Sequence, residues 1–359
     1  LIEGYCAKHN IENICPDKMT NEEMETFINE HKINCPVCGK HNFTNIRQFK
    51  LMFETSRGVT DDSSDIVYLR PETAQGEFVN FLNVQRSMRA KVPFGIAQIG
   101  KAFRNEITPG NFIFRTIELE QMEHQWFCKE GSDVEYYDYF KQKAFDFLIS
   151  IGFDKDHLRF KDHDKLAFYA RAACDIQFLY PMGWQELNGI HNRTNHDLSR
   201  HQEYSGKTIQ YLDPMTNEKY TPYVVEYSIG ADRLMLAVLC EAYHEEKLED
   251  GETRVVLKLS PALSCYKACV LPLMKKNHSE KAKELHKNLS RYFMCDYDES
   301  GSIGKRYRRE DEIGTPYCIT VDDDTLNNGT VTIRNRDTMQ QDIVNVDDVA
   351  KYIMDRCFY

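Results

Sequence analysis

The stretch FRNEITPGNFIFRTIELEQMEHQWF, Phe103 to Phe127, decides how the rest of the chain is read. Thr108-Pro-Gly-Asn111 is a turn cluster, in which proline fixes φ while glycine and asparagine tolerate positive φ. Upstream, Phe94 to Gly100 is short, apolar and interrupted by glycines, as a buried strand often is. Downstream, Ile113, Arg115, Ile117 and Leu119 alternate with Phe114, Thr116, Glu118 and Glu120, the period of a strand with two unlike faces. A strand–turn–strand hairpin is predicted. It carries an unusual load of charge: Arg104, Glu106, Arg115, Glu118, Glu120 and Glu123 stand among Phe103, Phe112, Phe114, Trp126 and Phe127. Such a face is either solvated and laced with ion pairs, or a nucleotide site. In the second case arginine forks meet phosphate and a carboxylate accepts from the adenine amine.

Phe103-Arg-Asn-Glu106, a loop, then Phe114-Arg115 resembles motif 2 of the class II aminoacyl-tRNA synthetases. With Gln98 to Glu106 and Glu120-Gln-Met-Glu123 in frame, it is similar to the homodimeric glycyl-tRNA synthetases in particular. The resemblance implies that Arg104 meets the ATP α-phosphate, Glu106 the adenine amine and Arg115 the outer phosphates. It extends the ATP contacts to Asn105, Phe114 and Glu118. Glu120 and Glu123 fall to the glycine side.

Three further segments carry the same resemblance. Arg70-Pro-Glu-Thr-Ala-Gln-Gly76 matches a glycyl-family signature, in which Glu72 faces the amino group of glycine; from the residues alone, Thr73 reads as the cap of a following helix. Trp184-Gln-Glu-Leu187 and Arg193 resemble the segment that binds ATP through magnesium, with Glu186 and Leu187 at the nucleotide and Arg193 lining the glycine site. Tyr223 to Arg233 resembles motif 3. There Gly230, Ala231, Asp232 and Arg233 serve ATP, with the arginine packing on adenine, while Glu226 and Ser228 contact glycine. Tyr227 replaces the proline usual after that glutamate, and Asn195 stands where aspartate is more usual. The histidines between 191 and 201 read as solvated loop residues in preference to a second metal site.

The remaining sequence bounds the architecture. A chain of 359 residues, 42% hydrophobic and 28% charged, has the composition of a two- or three-domain globular protein. No apolar run approaches the ~18 residues of a membrane span. Twelve cysteines at irregular spacing fit reduced thiols and a cytoplasmic or organellar location better than a disulfide scaffold. A net charge of −11 argues against general nucleic-acid binding, though a local patch such as Lys305, Arg306, Arg308 and Arg309 is compatible with a tRNA partner. Near the start, Cys6-x-x-His9 and Cys35-x-x-Cys38-Gly are paired as in structural zinc sites, with Cys15 as an alternative to Cys6 or His9.

The expected fold is α+β. A zinc-knuckle-like segment (1–45) precedes a class II antiparallel sheet flanked by helices (46–245). A charged linker (246–254) leads to an α/β domain (255–359) with a mostly parallel sheet, resembling the anticodon-binding domain of the glycyl, histidyl, prolyl and threonyl enzymes. The expected activity is glycine–tRNA ligation with ATP and Mg²⁺, with structural Zn²⁺. Glycine and tRNA(Gly) are the expected partners, and the homodimer would form through a motif 1 region preceding Leu1. The chain then reads as a fragment or a processed product. The rival is a non-catalytic accessory subunit of the same fold, supported only by Ile117, where arginine is usual.

Overall fold

A computed structural model describes residues 1–11, 14, 16, 19–46, 49–58, 65–248 and 251–358. Cys15 therefore lies outside the described residues. The chain divides into two compact units, Leu1–Pro71 with Arg104–Ile107, and Glu72–Phe103 with Thr108–Tyr359.

In the first unit, α1 (Ile2–His9) and α2 (Asn21–Glu30) bury Ile2, Cys6 and Phe27 together with Ile33. The polar α2 is started by a capping box: Thr20 Oγ1 accepts from the Glu23 N–H, and Glu23 returns a carboxylate to the Thr20 N–H at 2.7 Å. A short ladder joins β1 (Glu54–Ser56) to β2 (Ile66–Tyr68).

The second unit opens with α3 (Ala74–Ser87) and is built on a six-stranded antiparallel sheet. Its strands are β3 (Phe94–Phe103), β4 (Glu118–Cys128), β5 (Leu158–Asp162), β6 (Ala172–Tyr180), β7 (Gly183–Thr194) and β10 (Tyr223–Gly230), in the order β3-β4-β10-β7-β6-β5. Helices α4 (Asp133–Ser150), α5 (His196–Ser205) and α6 (Ala231–Ala242) flank it, and a small ladder of β8 (Tyr211–Leu212) and β9 (Lys219–Tyr220) precedes β10. One face carries Val225, Ile190, Cys174 and Ile176 into a core with Tyr137, Ala144 and Leu148 of α4. The other face is polar at its centre and apolar at one end. There Phe127 and Val224 meet Phe78 and Phe81 of α3, with the Phe81 and Phe127 rings 4.6 Å apart.

One expectation changes here. The alternating run Ile113–Glu120 does not open the second strand. Gly110 and Arg115 close a tight turn through two backbone hydrogen bonds, at 3.0 and 3.2 Å, and the ladder starts at Glu118 opposite Phe103. Phe114 is the physical reason: its ring is drawn into the core beside Tyr180, which lifts the segment out of the sheet. Tyr227 leaves the strand undisturbed, pairing with His124 on one side and Ile190 on the other.

The charged stretch after α6 is a hairpin of β11 (Tyr243–Lys247) and β12 (Thr253–Leu257). Beyond it stand β13 (Ala268–Pro272), α7 (Lys275–Leu289), β14 (Cys295–Tyr297), α8 (Ile303–Ile313), β15 (Tyr317–Val321), α9 (Asp323–Asn328), β16 (Thr330–Asn335), β17 (Gln341–Asn345) and α10 (Val349–Cys357). The sheet order is β14-β13-β15-β16-β17. It is not mostly parallel: β13 runs parallel to β14 and β15, but β16 is antiparallel to both its neighbours. The connections explain this, since the links after β15 and β16 are too short for a parallel crossover. A buried ion network ties this part together, with Asp311 accepting from Arg254 at 2.9 Å and from Arg334 at 2.8 and 3.1 Å.

Truncating Phe81 to alanine removes the ring that touches both Phe94 and Phe127, and should destabilise the second unit by about 3–5 kcal/mol in urea unfolding. Val79→Ala, at an exposed position of the same helix, should stay within about 0.5 kcal/mol.

Candidate active site

The polar centre of the sheet is set by register. Gln98 on β3 stands opposite Glu123 on β4, which stands opposite Ser228 on β10. One step along, Gln125 faces Glu226, and Glu226 faces His191 on β7. Side-chain alternation therefore brings Glu123, Gln125, Glu226, Ser228, His191 and Arg193 to one face.

Glu226 is the best-held acid of the group. It accepts from Gln125 Nε2 and Arg193 Nη1, both at 2.8 Å, and from His191 Nδ1 at 2.9 Å. Burial pushes its carboxyl up, but the His191 hydrogen bond, the Arg193 charge and Gln125 outweigh this and hold it at about 2. Arg193 is itself buried, donating from Nε and Nη2 to Asp197 at 2.8 and 3.0 Å, with its guanidinium 4.5 Å from the Tyr169 ring. Glu123 is less well compensated. It accepts from the Thr73 N–H at 3.1 Å, from the Thr73 hydroxyl, and from Ser228 Oγ at 3.2 Å. Burial and the Glu226 charge still raise its carboxyl above the ordinary range. Thr73 thus serves Glu123 and makes no side-chain cap on α3, contrary to the sequence reading. Glu72 joins through Gln75 Nε2, which donates to it at 2.8 Å and to Asp197 at 3.2 Å.

A second cluster lies at the start of α6. Arg233 donates from Nε to the Phe114 carbonyl at 3.0 Å, its guanidinium stands 4.4 Å from the Phe114 ring, and Nη1 is 3.5 Å from Glu186 Oε1. Leu187 is buried nearby in the same core as Phe114. Gly230 and Ala231 form the strand-to-helix junction, and Asp232 accepts from the Glu120 N–H at 3.2 Å.

Residues 52–242 match the tRNA synthetase class II core domain (G, H, P, S and T), and residues 267–356 match an anticodon binding domain. The glycine–tRNA ligase of Clostridium tetani is 55% identical over 358 residues, covering 99% of this chain and 77% of that protein. Those of Clostridium acetobutylicum and Caldanaerobacter subterraneus subsp. tengcongensis show the same identity and coverage. The chain belongs to the glycine–tRNA ligases.

Against that family, the other expected site residues fall as follows. Glu120 is not brought to the acidic pocket: alternation along β4 sends it to the face opposite Glu123. Glu118 pairs with Lys101 at 3.2 Å. Arg115 is exposed at the tight turn. In the first unit, Arg104 Nε donates to the Pro71 carbonyl at 3.0 Å, Asn105 Nδ2 donates to the Lys50 carbonyl at 2.9 Å, and Glu106 is half-buried.

The zinc ligands do not gather. Among the described residues, Cys6, His9, Cys35 and Cys38 form no common cluster of donor atoms. Cys6 packs with Phe27, and His9 stacks on Tyr5 at 4.2 Å. Only the Cys35–Cys38 knuckle has the expected local form: the Cys38 and Val37 N–H groups lower the Cys35 thiol, and Gly39 turns with φ +70°.

The basic patch is also partly structural. Arg306 is buried, donating to the Pro272 carbonyl at 2.6 Å and the Gly301 carbonyl at 3.2 Å. Arg309 binds Asp298, Arg308 binds Glu252 at 3.0 Å, and Lys305 is exposed. The histidines expected in a solvated loop are engaged instead: His191 on Glu226, His196 on the Phe168 ring at 5.2 Å, and His201 on Gln75 at 2.8 Å.

Sequence reasoning missed Glu77. It lies buried on α3, and neither carboxylate oxygen has a hydrogen-bond partner among the described residues. Burial first, and the Glu123 charge second, push it up to about 8. Between its ordinary 4.5 and about 8 the unfolded chain has released this proton while the folded chain keeps it, so stability falls as pH rises through that window. Glu77→Gln should flatten the decline and raise stability at pH 8 by roughly 1–3 kcal/mol, read by thermal unfolding across the range.

Proposed function

We propose that this chain activates glycine with ATP to glycyl-adenylate and passes the glycyl group to the 3′ end of tRNA(Gly). The observation that carries the reading is the acidic group of half-buried Glu72 with buried Glu123 and Glu226, two of whose acids are held on facing strands. An ammonium group has three donors and no acceptor, so it suits an enclosure of carboxylates. Glycine has no side chain to recognise, and crowding around its α-carbon is what would turn away larger amino acids.

The chemistry needs no side-chain nucleophile. The glycine carboxylate attacks the α-phosphorus in line and pyrophosphate leaves, so catalysis falls to positioning and charge neutralisation by Arg104, Arg115 and Arg233. Arg104, Asn105 and Glu106 belong to this reading through the resemblance alone. Arg233, its guanidinium held against the Phe114 ring, supports an adenine site, because a planar base stacks on a guanidinium. Glu186 presents a half-exposed carboxylate beside Arg233, a ligand type that Mg²⁺ favours. Bound there with ATP, the ion would neutralise the outer phosphates. The C-terminal domain would select tRNA, and the homodimer belongs to the same reading.

The test is glycine-dependent exchange between ATP and pyrophosphate. A charge-assisted hydrogen bond is worth roughly 1.5–3 kcal/mol, so Glu123→Gln should raise the KM for glycine about 10- to 150-fold with little change for ATP. Alanine supporting exchange as well as glycine would defeat the reading.

Zinc stays in the proposal only at the Cys35–Cys38 knuckle, since Cys6 and His9 do not complete it. Metal analysis of protein purified without chelator should show zinc that Cys38→Ser loses.

A further inference from the structure

We propose that His163, Asp175 and His191 form a binding site for a divalent transition-metal ion of the zinc type, separate from the N-terminal cysteines. Two of the residues come from neighbouring strands of the sheet and the third from the end of the next. Asp175 on β6 stands opposite Gly189 on β7, and His191 follows two residues later on the same face. His163, just past β5, continues the ladder by donating its N–H to the Ala173 carbonyl at 3.0 Å, and Ala173 pairs with His191. Each residue offers one donor atom, and these atoms lie within 4.8 Å of one another.

Four features of this group go beyond proximity. His163 Nε2 is 2.9 Å from Asp175 Oδ2, yet it is buried without an aligned hydrogen bond. The two imidazoles stand edge to face, 5.8 Å between centroids, which lets both aim at one point. His191 has its Nδ1 committed to Glu226 at 2.9 Å, so Nε2 is the nitrogen left for a ligand. A carboxylate behind a ligating histidine is the arrangement that fixes the ring and raises its basicity at metal sites. Finally, the strand is glycine where the group needs space. A Cβ at Gly189 would stand 3.0 Å from His191 Cε1, 3.6 Å from its Nε2 and 3.8 Å from Asp175 Oδ1.

The donor set decides the ion. Two imidazoles and one carboxylate suit zinc and its neighbours, whereas Mg²⁺ and Ca²⁺ favour oxygen alone. Metal–ligand bonds of about 2.0–2.2 Å place tetrahedral donor atoms about 3.3–3.6 Å apart. The group therefore needs only a small inward closure, and the close His163–Asp175 approach would open as the ion entered. Three protein ligands leave a fourth position to solvent.

The site has a route to the pocket. A metal on Nε2 holds His191 as a neutral ring that donates from Nδ1 to Glu226, and it adds two positive charges beside the acids. The added charge opposes an arriving ammonium, so loading should raise the KM for glycine and leave that for ATP unchanged. This consequence rests on the glycine reading above; the metal site does not.

Co²⁺ titration of the chelator-treated full chain tests both parts. Thiolate-bound Co²⁺ shows ligand-to-metal charge transfer in the near ultraviolet, while a histidine–aspartate site shows only weak d–d bands. One equivalent without charge transfer should bind the parent chain and be lost in His163→Ala and in Asp175→Asn. Having two variants guards against one that misfolds, and circular dichroism identifies it. Equal stoichiometry in the parent and both folded variants, or charge transfer on all bound Co²⁺, overturns the site. In the exchange assay, Zn²⁺ should raise the glycine KM several-fold in the parent and not in His163→Ala. An equal rise in both overturns the coupling. If exchange is absent altogether the glycine reading fails, while the Co²⁺ stoichiometry still decides the metal site.

Discussion

A carboxylate taken out of water costs several kcal/mol unless it is paired and hydrogen-bonded, and the centre of this sheet depends on how Glu226 meets that constraint. Arg193, Gln125 and His191 converge on it from two strands. Arg193 is in turn clamped by Asp197 from α5, and Asp197 also receives Gln75 from α3. Four elements, β4, β7, α5 and α3, are thus fastened to one acid. With that acid satisfied, the cost of burial falls on Glu123 and Glu77, whose carboxyls are both raised toward the protonated form.

The motif residues were legible because their spacing is fixed by backbone geometry as well as by chemistry. Glu226, Ser228 and Arg233 were legible through the resemblance of Tyr223–Arg233 to motif 3, which a glycine before a helix alone would not have given. What failed was local reading of residues whose partners are distant in sequence. Thr73 looked like a helix cap because threonine before a helix usually is one; its hydroxyl instead goes to Glu123, fifty residues away. Glu120 and Glu123 looked like one acidic group, although an odd separation along a strand puts them on opposite faces. Arg306 looked like part of a basic surface because the carbonyls that bury it belong to Pro272 and Gly301.

Glu77 could have been found. Ala74, Glu77, Phe78 and Phe81 fall at i, i+3, i+4 and i+7, a helical stripe that is buried throughout. A carboxylate on such a stripe is a charge at a core position, and that mismatch points to function more often than to packing. The zinc expectation rested on ligand spacing alone, which constrains each half of a site but not the meeting of the halves. For the same reason Asp311, which gathers Arg254 and Arg334, carried no signal: its partners are 57 and 23 residues distant.

Because Glu123 faces Ser228 and Gln125 faces Glu226 across one ladder, the pocket is written in the pairing of β4 with β10. A single-residue insertion or deletion inside either strand would turn every following side chain to the opposite face, exchanging Glu123, Gln125 or Glu226 for a neighbour such as His124, Trp126 or Tyr227. Length variation in this region is therefore tolerable only outside the ladder, as at the exposed turn around Met215 and Asn217. The two strands can diverge in sequence far more readily than they can change in length.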